Sequence, residues 1–504
     1  MRWFSLCSLF LVISCDAQSI AIPWSGHGHD PQHSGLSKTA SQSLGQIKWQ
    51  TLLDMNRQYV GSSLYIHYGT PILTRSNTII APVKMAADGT FVVNAFDAAT
   101  GAVKWTEASD YILPPHSWTP PFGMALTPKN RLYFPGSGGT VYFRDTPDSP
   151  GGTRGQLAFY GLANYQANPA SFDQNVIINT PITSDRYGNI YFGFQSTGGT
   201  TPSLPGGLAR IGEDGVGSFV SATAAAGAGS FTKVADNCAP ALSNDGKTLY
   251  FVVTNNSSSF SYLVAVDSRT LVQQAAVQLR DVADPNSPAM VIGDSSASAT
   301  VGPDGDVYYG VLENQLGSHN FRGWLLHFNA SLSQTKTPGS FGWDDTASVV
   351  PASIVPSYHG TSTYLVLTKY NNYAGHGTGN GVNKLVVLDP NATEADPITA
   401  GVIVMKEVLT VTSPTPDDEF PNFPNAVREW CINMAVVDPA TRSAIVSCED
   451  GKTYRWDFAT NSLSETLVLT DGRGEAYTPT LIGPDGTVYA IADGTLFALG
   501  QSTP

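Results

Sequence analysis

Five tyrosines recur in one register, Tyr133, Tyr191, Tyr250, Tyr308 and Tyr364, at gaps of 58, 59, 58 and 56 residues. Each closes the same kind of local text: a short apolar run, a turn rich in Pro, Asp, Asn and Gly, then a β-branched residue or Leu, and Tyr. TPITSDRYGNIY (180–191), APALSNDGKTLY (239–250), ASATVGPDGDVY (297–308) and TPTLIGPDGTVY (478–489) show it best. A fixed period of this size means one supersecondary unit repeated and stacked. That constrains the architecture before any functional motif is considered.

Within each unit the apolar runs are about four to eight residues long, the length and composition of strands. Asp88-Gly89, Asp245-Gly246, Asp450-Gly451 and Asp485-Gly486 punctuate them as hairpin turns. No window of ten or more residues carries a 3.6-residue apolar period. Antiparallel units at this spacing are propeller blades, and eight can be read, from Thr70 to Leu499. The last unit is short by one strand. The text from Leu44 to Leu53 resembles the end of the first unit, Thr100 to Trp105, and supplies the missing piece. The expected fold is all-β: an eight-bladed β-propeller over 44–500, closed by the N-terminal strand and preceded by an arm over 18–43. An insertion is expected over 391–430, which carries Pro414, Pro416, Pro421 and Pro424 beside Asp417-Asp418-Glu419. A loop that long in a compact domain is functional or disordered. The runs 195–207 and 221–230 are low in complexity and read as flexible.

The opening MRWFSLCSLFLVISCDAQS has one early cation, an apolar run and small residues before a cut after Ala17. It reads as a signal peptide, 1–17, for a secreted or periplasmic protein. The alternative is a lipoprotein box ending at Cys15. No later apolar run reaches the roughly 18–20 residues that cross a bilayer. The leader holds only Arg2 and Asp16, so the net charge of −14 survives its removal. That charge argues against a nucleic-acid partner, which needs a basic surface. A protein partner or a small polar ligand is the expectation. The remaining cysteines are Cys238, Cys431 and Cys448. Cys431 and Cys448 flank Asp438-Pro439-Ala440-Thr441 almost symmetrically, so a hairpin there would allow a disulfide between them. The alternative is two small apolar core residues. Asn255, Asn256, Asn329 and Asn391 stand in Asn-x-Ser/Thr sequons, which matter only in a glycosylating host.

The stretch from Asn94 to Trp105, NAFDAATGAVKW, resembles the Leu-x-Ala-x-Asp-x-x-x-Gly-x-x-x-Trp signature of pyrroloquinoline-quinone (PQQ) repeat propellers. The opening Trp24 to Ser37, WSGHGHDPQHSGLS, is similar to the start of such proteins. Leu263-Val264-Ala265-Val266-Asp267 keeps half of the signature and loses the Trp. The resemblance implies an eight-bladed ring. It also implies one of two functions: a quinoprotein dehydrogenase with PQQ and calcium in the channel, or a non-catalytic scaffold. The adjacent cysteine pair of enzymes similar to methanol dehydrogenase is missing, and their Glu, Asn and Asp calcium set finds no motif here. The reading adopted is a binding or scaffold module, with a PQQ-dependent oxidoreductase as the alternative.

Propeller ligands sit over the channel, on loops leading into the innermost strands. The candidates there are His116, Trp118, Asn179, Asp236, Asn237, Asp294, Asp344, Asp345, Arg428, Glu429, Arg473 and Glu475. Carboxylates and Arg–Glu pairs around one mouth suit a polar ligand or an oxygen-liganded cation such as calcium. They would equally cap strands and pair with one another. His27, His29 and His33 cluster beside Asp30 at spacings that suit a metal, but the same spacings serve structural or solvent-exposed histidines in an arm, which is the reading taken here.

Overall fold

The computed structural model describes residues 24–60, 63–64, 69–87, 89–113, 122–255, 260–293, 295–472 and 478–501. The repeat is realised as an eight-bladed β-propeller of antiparallel sheets. The first strand of each sheet lines the channel. In chain order these inner strands are Ile72–Leu73, Ala125–Leu126, Thr183–Ser184, Ala241–Leu242, Thr300–Val301, Ser348–Pro351, Val436–Asp438 and Leu481–Ile482. The ring closes as the sequence text requires. Gln46–Leu52 pairs antiparallel with Thr495–Gly500, from Gln46 opposite Gly500 to Leu52 opposite Thr495. Chain ends more than four hundred residues apart thus share sheet 8, which removes the free edges an open ring would expose.

The tyrosine register falls on the second strand of its sheets, and Tyr489 continues it in sheet 8. All six rings are buried between neighbouring sheets. A buried phenol needs a partner for its hydroxyl. Tyr191 donates to Asp185 Oδ2 in its own turn (3.0 Å), and Tyr250 to the Ala330 carbonyl (2.7 Å). The Tyr308 and Tyr364 hydroxyls bond each other at 2.6 Å. Gly246, Gly451 and Gly486 in the Asp-Gly turns have φ of 74°, 75° and 82°, the left-handed conformation that only glycine adopts without strain.

Three segments differ from the sequence reading. The expected insertion 391–430 is in part regular sheet. Lys384–Ala395 and Ile403–Thr412 are the two outer strands of sheet 6, so the irregular stretch shrinks to 413–430. A bulge between Asp389 and Thr393 obscures the strand's alternation. The run 221–230 contains the helix Ala222–Ala226, with Ser221 as N-cap and Gly227 at φ 66°, and Ala222, Ala225 and Ala226 are buried. In the run 195–207, Leu204 is buried in the core. Two further short helices, Leu162–Ala167 and Pro169–Asn175, link sheets 2 and 3. Both are too short to show a period in the sequence.

The arm is an ordered part of the ring. Residues 24–37 cross one end of the channel, and their carbonyls accept from inner-strand amides in turn. Leu73 donates to Trp24 (3.0 Å), Leu126 to Ser25 (2.7 Å), Leu242 to Pro31 (2.7 Å), Val301 to Gln32 (2.9 Å), Val349 to Ser34 (2.8 Å) and Val437 to Gly35 (2.8 Å). Gln42 then donates to Gly486 in sheet 8 (2.8 Å). Leu73, Leu126, Leu242 and Val301 are the last residues of their inner strands, and Val349 and Val437 lie within theirs, so the arm covers the face opposite the loops that lead into those strands.

Candidate functional site

Sheets 3 and 4 have broken inner strands. Val176–Ile178 and Thr183–Ser184 both pair with Ile190–Ser196, and Lys233–Val234 and Ala241–Leu242 both pair with Thr248–Thr254. Pro181 and Pro240 stand in the gaps, where a residue without an N–H cannot extend a ladder. Asn179, Asp236 and Asn237 occupy those gaps, so they stand inside the inner wall and not merely ahead of it. The breaks bond to each other. Asn237 N donates to Asn179 O (2.9 Å), and Asn179 Nδ2 donates to Asp236 Oδ1 (2.7 Å) and Val234 O (2.8 Å). Lys233 pairs with Asp236.

The belt continues through three more sheets. Asn237 Nδ2 donates to Ser295 O (3.0 Å), and Ser298 N to Thr346 Oγ1 (2.9 Å). The Ser296 amide and hydroxyl both donate to Asp344, which is held at φ 53°. Asn433, ahead of the seventh inner strand, accepts from Thr346 N (2.9 Å) and sends Nδ2 to Ser296 O (2.9 Å) and Oγ (2.8 Å). It therefore ties the seventh sheet to the fifth and sixth. The expected residues Asn179, Asp236, Asn237, Asp344 and Asp345 are thus brought together along one hydrogen-bonded wall, and all but Asp236 are at most 5% exposed. Two acceptors on this wall are left over. Asn179 Oδ1 and Asn433 Oδ1 are buried and have no hydrogen-bond partner among the described residues.

Asp345 is the perturbed acid of the wall. Burial pushes its carboxyl up to about 7, against the pull of Lys369 and the hydrogen bond from Thr368. A raised acid favours the fold while it is protonated. That contribution is complete below the unfolded value near 4 and is lost as pH rises through about 7. Asp345→Asn is expected to flatten the fall in unfolding free energy between those limits by on the order of 2 kcal/mol. Urea denaturation at a series of pH values measures it, and an unchanged pH slope refutes the assignment.

Arg428 and Glu429 have a different role. Burial works against the Arg428 charge, but the hydrogen bond that Arg428 donates to Glu419 and the nearby carboxylates hold its pKa above the ordinary value. Its guanidinium reaches Glu419 Oε1 (2.9 Å), Asp417 Oδ1 (3.4 Å), Glu449 Oε1 (3.5 Å) and Asp418. Arg428 thereby pins the proline-rich stretch 413–430 to sheet 7. Glu429 O accepts from Glu449 N (3.0 Å), and Glu429 N donates to Glu449 Oε2 (3.0 Å). Donor atoms of Glu429, Cys431 and Glu449 lie within 4.8 Å of one another, the one such metal-capable trio among the described residues. The expected Cys431–Cys448 disulfide is not formed, and both cysteines are buried. The hairpin register, with Val436 opposite Ile445, would set Cys448 against residue 433, and the chain has left the ladder before Cys431. Cys448 Sγ instead donates to Glu429 O at 3.1 Å.

The histidines are structural. His33 is fully buried, with Nδ1 2.8 Å from Ala299 O, and stacks edge-on against His27. Burial pushes His27 down to about 3 and His33 to about 4, so both are neutral at pH 7. His29 Nδ1 faces Asp30 Oδ2 at 3.2 Å. His116, Trp118, Asp294, Arg473, Glu475, Cys15, Asn256 and the leader lie outside the described residues. Sequence reasoning missed Asn433, Ser296 and Lys369. None stands in a turn signature, and only the ring brings them to the wall.

No family model matches this chain, and no curated protein matches it. Solved structures do. A europium-containing methanol dehydrogenase is 10% identical at a TM-score of 0.55, covering 93% of this chain and 89% of its own. A quinohemoprotein alcohol dehydrogenase from Comamonas testosteroni is 11% identical at 0.55, covering 97% and 82%. Saccharomyces cerevisiae Sqt1 is 11% identical at 0.51, covering 92% and 100%. At these identities the likeness shows the fold alone, a β-propeller.

Proposed function

We propose that the protein is an exported, non-catalytic binding module whose ligand enters at the channel mouth opposite the arm. The observation that carries this is the pair of leftover acceptors, Asn179 Oδ1 and Asn433 Oδ1, on a wall that is otherwise densely hydrogen-bonded. Neither amide can turn to hide its oxygen, because each Nδ2 already donates to two acceptors. A buried acceptor without a donor costs about 1–3 kcal/mol. A ligand rich in hydroxyl or ammonium donors removes that cost, and the carboxylates of the wall favour the same chemistry. The class is therefore a small polyhydroxylated or cationic molecule. The sequence leader supports export.

The alternative is a quinone-dependent oxidoreductase, supported by the likeness to the two dehydrogenases. PQQ carries three carboxylates, and the described wall does not fit them. Its cations are already engaged, Lys233 with Asp236 and Arg428 with four carboxylates, while Lys369 stands beside Asp345. The wall's amide and carboxylate oxygens are the ligand type of a hard cation such as calcium. Titration calorimetry against a panel of polyols and polyamines, with PQQ plus calcium as a separate arm, decides between the readings. A donor-rich ligand is expected to bind, and Asn179→Ala and Asn433→Ala each to weaken it about tenfold, the effect of one lost hydrogen bond. Stoichiometric PQQ uptake with dye-linked alcohol oxidation would overturn the proposal in favour of the enzyme.

A further inference from the structure

Among the described residues the arm bonds through its backbone to six of the eight inner strands and to the turn at Gly486 in sheet 8, but to no part of the third sheet. Over the third sheet it folds back on itself instead. Ser25 N donates to His29 O (3.1 Å) and His29 N to Gly26 O (3.4 Å). A cavity of about 270 Å³ opens beside that turn, on the face opposite the channel mouth. Leu126, Pro128, Pro31 and Leu242 give it apolar walls, and Lys38, Arg75 and Arg186 bring three cations to it. That concentration stands out on a chain of net charge −14.

Two carboxylates also line the cavity, and both are committed to their own loops. Asp30 accepts from Ser34 Oγ (2.6 Å), Ser34 N (3.0 Å) and Gln32 N (3.2 Å), besides facing His29. Asp185 accepts from Asn189 Nδ2 (2.6 Å), Tyr187 N (2.8 Å), Asn189 N (2.9 Å) and Tyr191 Oη (3.0 Å). Each arginine donates to a backbone carbonyl. Arg75 Nη1 donates to Pro128 O (3.1 Å), and Arg186 Nη2 to Asp245 O (2.9 Å). The Arg186 guanidinium also lies 5.0 Å from the centre of the Tyr187 ring. Among the described residues neither Lys38 nor Arg186 takes part in an ion pair.

We propose that this cavity is a second binding site, separate from the channel mouth, for a small organic carboxylate with an apolar body. The guanidinium groups offer the forked donors that match a carboxylate, Lys38 adds a point charge, and the Leu and Pro walls take the hydrocarbon. The volume is at the lower end for small-molecule pockets, which limits the ligand to one ring or a short chain.

Calorimetric titration of the full mature protein with 3-phenylpropionate, with its primary amide and with sulfate tests the site. The carboxylate is expected to bind, with the amide and sulfate each at least about tenfold weaker, since neither offers both charge and apolar body. Arg186→Gln is expected to weaken the carboxylate about tenfold, and Lys38→Gln to weaken it less and to reduce its salt dependence. Both residues are exposed, so the fold does not depend on them. Equal binding of the amide, equal binding of sulfate, no binding at all, or indifference to Arg186→Gln would each overturn the proposal. Neither substitution touches the wall of Asn179 and Asn433, so the result is independent of the fate of the channel-mouth reading.

Discussion

Replacing Trp24 with alanine is expected to cost about 3–5 kcal/mol of stability, the range for emptying a buried aromatic site. The indole is fully buried in the core shared by sheets 1 and 8, and its backbone pairs with Leu73. The informative part of the result lies elsewhere in the ring. If residues 24–37 act as one lock, loosening one end frees the amides of Leu73, Leu126, Leu242, Val301, Val349 and Val437 together. Native-state hydrogen exchange reads those six amides separately. Gly35→Val attacks the other end. Gly35 has φ 63°, and a Cβ there would meet Ala435 O at 2.9 Å, Ser348 Oγ at 3.0 Å and Met434 Sδ at 3.2 Å. Both variants are expected to raise exchange at all six amides. Faster exchange confined to Leu73 in Trp24→Ala, or to Val437 in Gly35→Val, would show that the arm is six independent contacts.

The arm also marks where sequence reasoning stopped. The repeat, the blade number, the buried tyrosines and the closing strand were all legible, because each is a local text that recurs or completes itself. WSGHGHDPQHSG repeats nothing in the chain, so no period reveals that its carbonyls serve successive sheets. Its histidines read as structural or solvent-exposed groups, and the text does not separate the two, because the burial of His33 against Ala299 O is a contact 266 residues away in sequence. The site divides in the same way. Asn179, Asp236, Asn237, Asp344 and Asp345 could be proposed from their place ahead of the apolar runs. That Pro181 and Pro240 open the inner strands around the first three is also readable, once the strands are known. Asn433 could not be found, because its importance comes from reaching Ser296 and Thr346 two sheets and one sheet away. The disulfide expectation failed on register: symmetry about a turn sets two cysteines opposite each other only if the ladder reaches both.

The second large effect is expected at the seam where the ring closes. Asp54, just beyond the closing strand, and Lys84, on the second strand of sheet 1, form an ion pair at 3.1 Å with both side chains fully buried. Lys84 Nζ also donates to Asn56 O (2.6 Å), and Asp54 Oδ1 accepts from Asn56 N (2.8 Å). Around them Lys84 N donates to Leu53 O and Met55 N to Lys84 O, each at 2.8 Å, while Leu53 N reaches Gly494 O at 2.7 Å. The pair therefore lies where the first and last sheets join. Lys84→Met removes one charge and leaves the other without its partner in a dry site, which is expected to cost about 3–5 kcal/mol. Asp54→Asn combined with Lys84→Met removes both charges and is expected to recover more than half of that loss, since an apolar pair of similar volume often replaces a buried ion pair at little cost. Denaturant midpoints of the single and double variants measure both numbers. If the double variant is no more stable than Lys84→Met, the loss comes from packing of the lysine stem and its bonds to Asn56 and Ala86, and the buried charge is not what makes the seam sensitive.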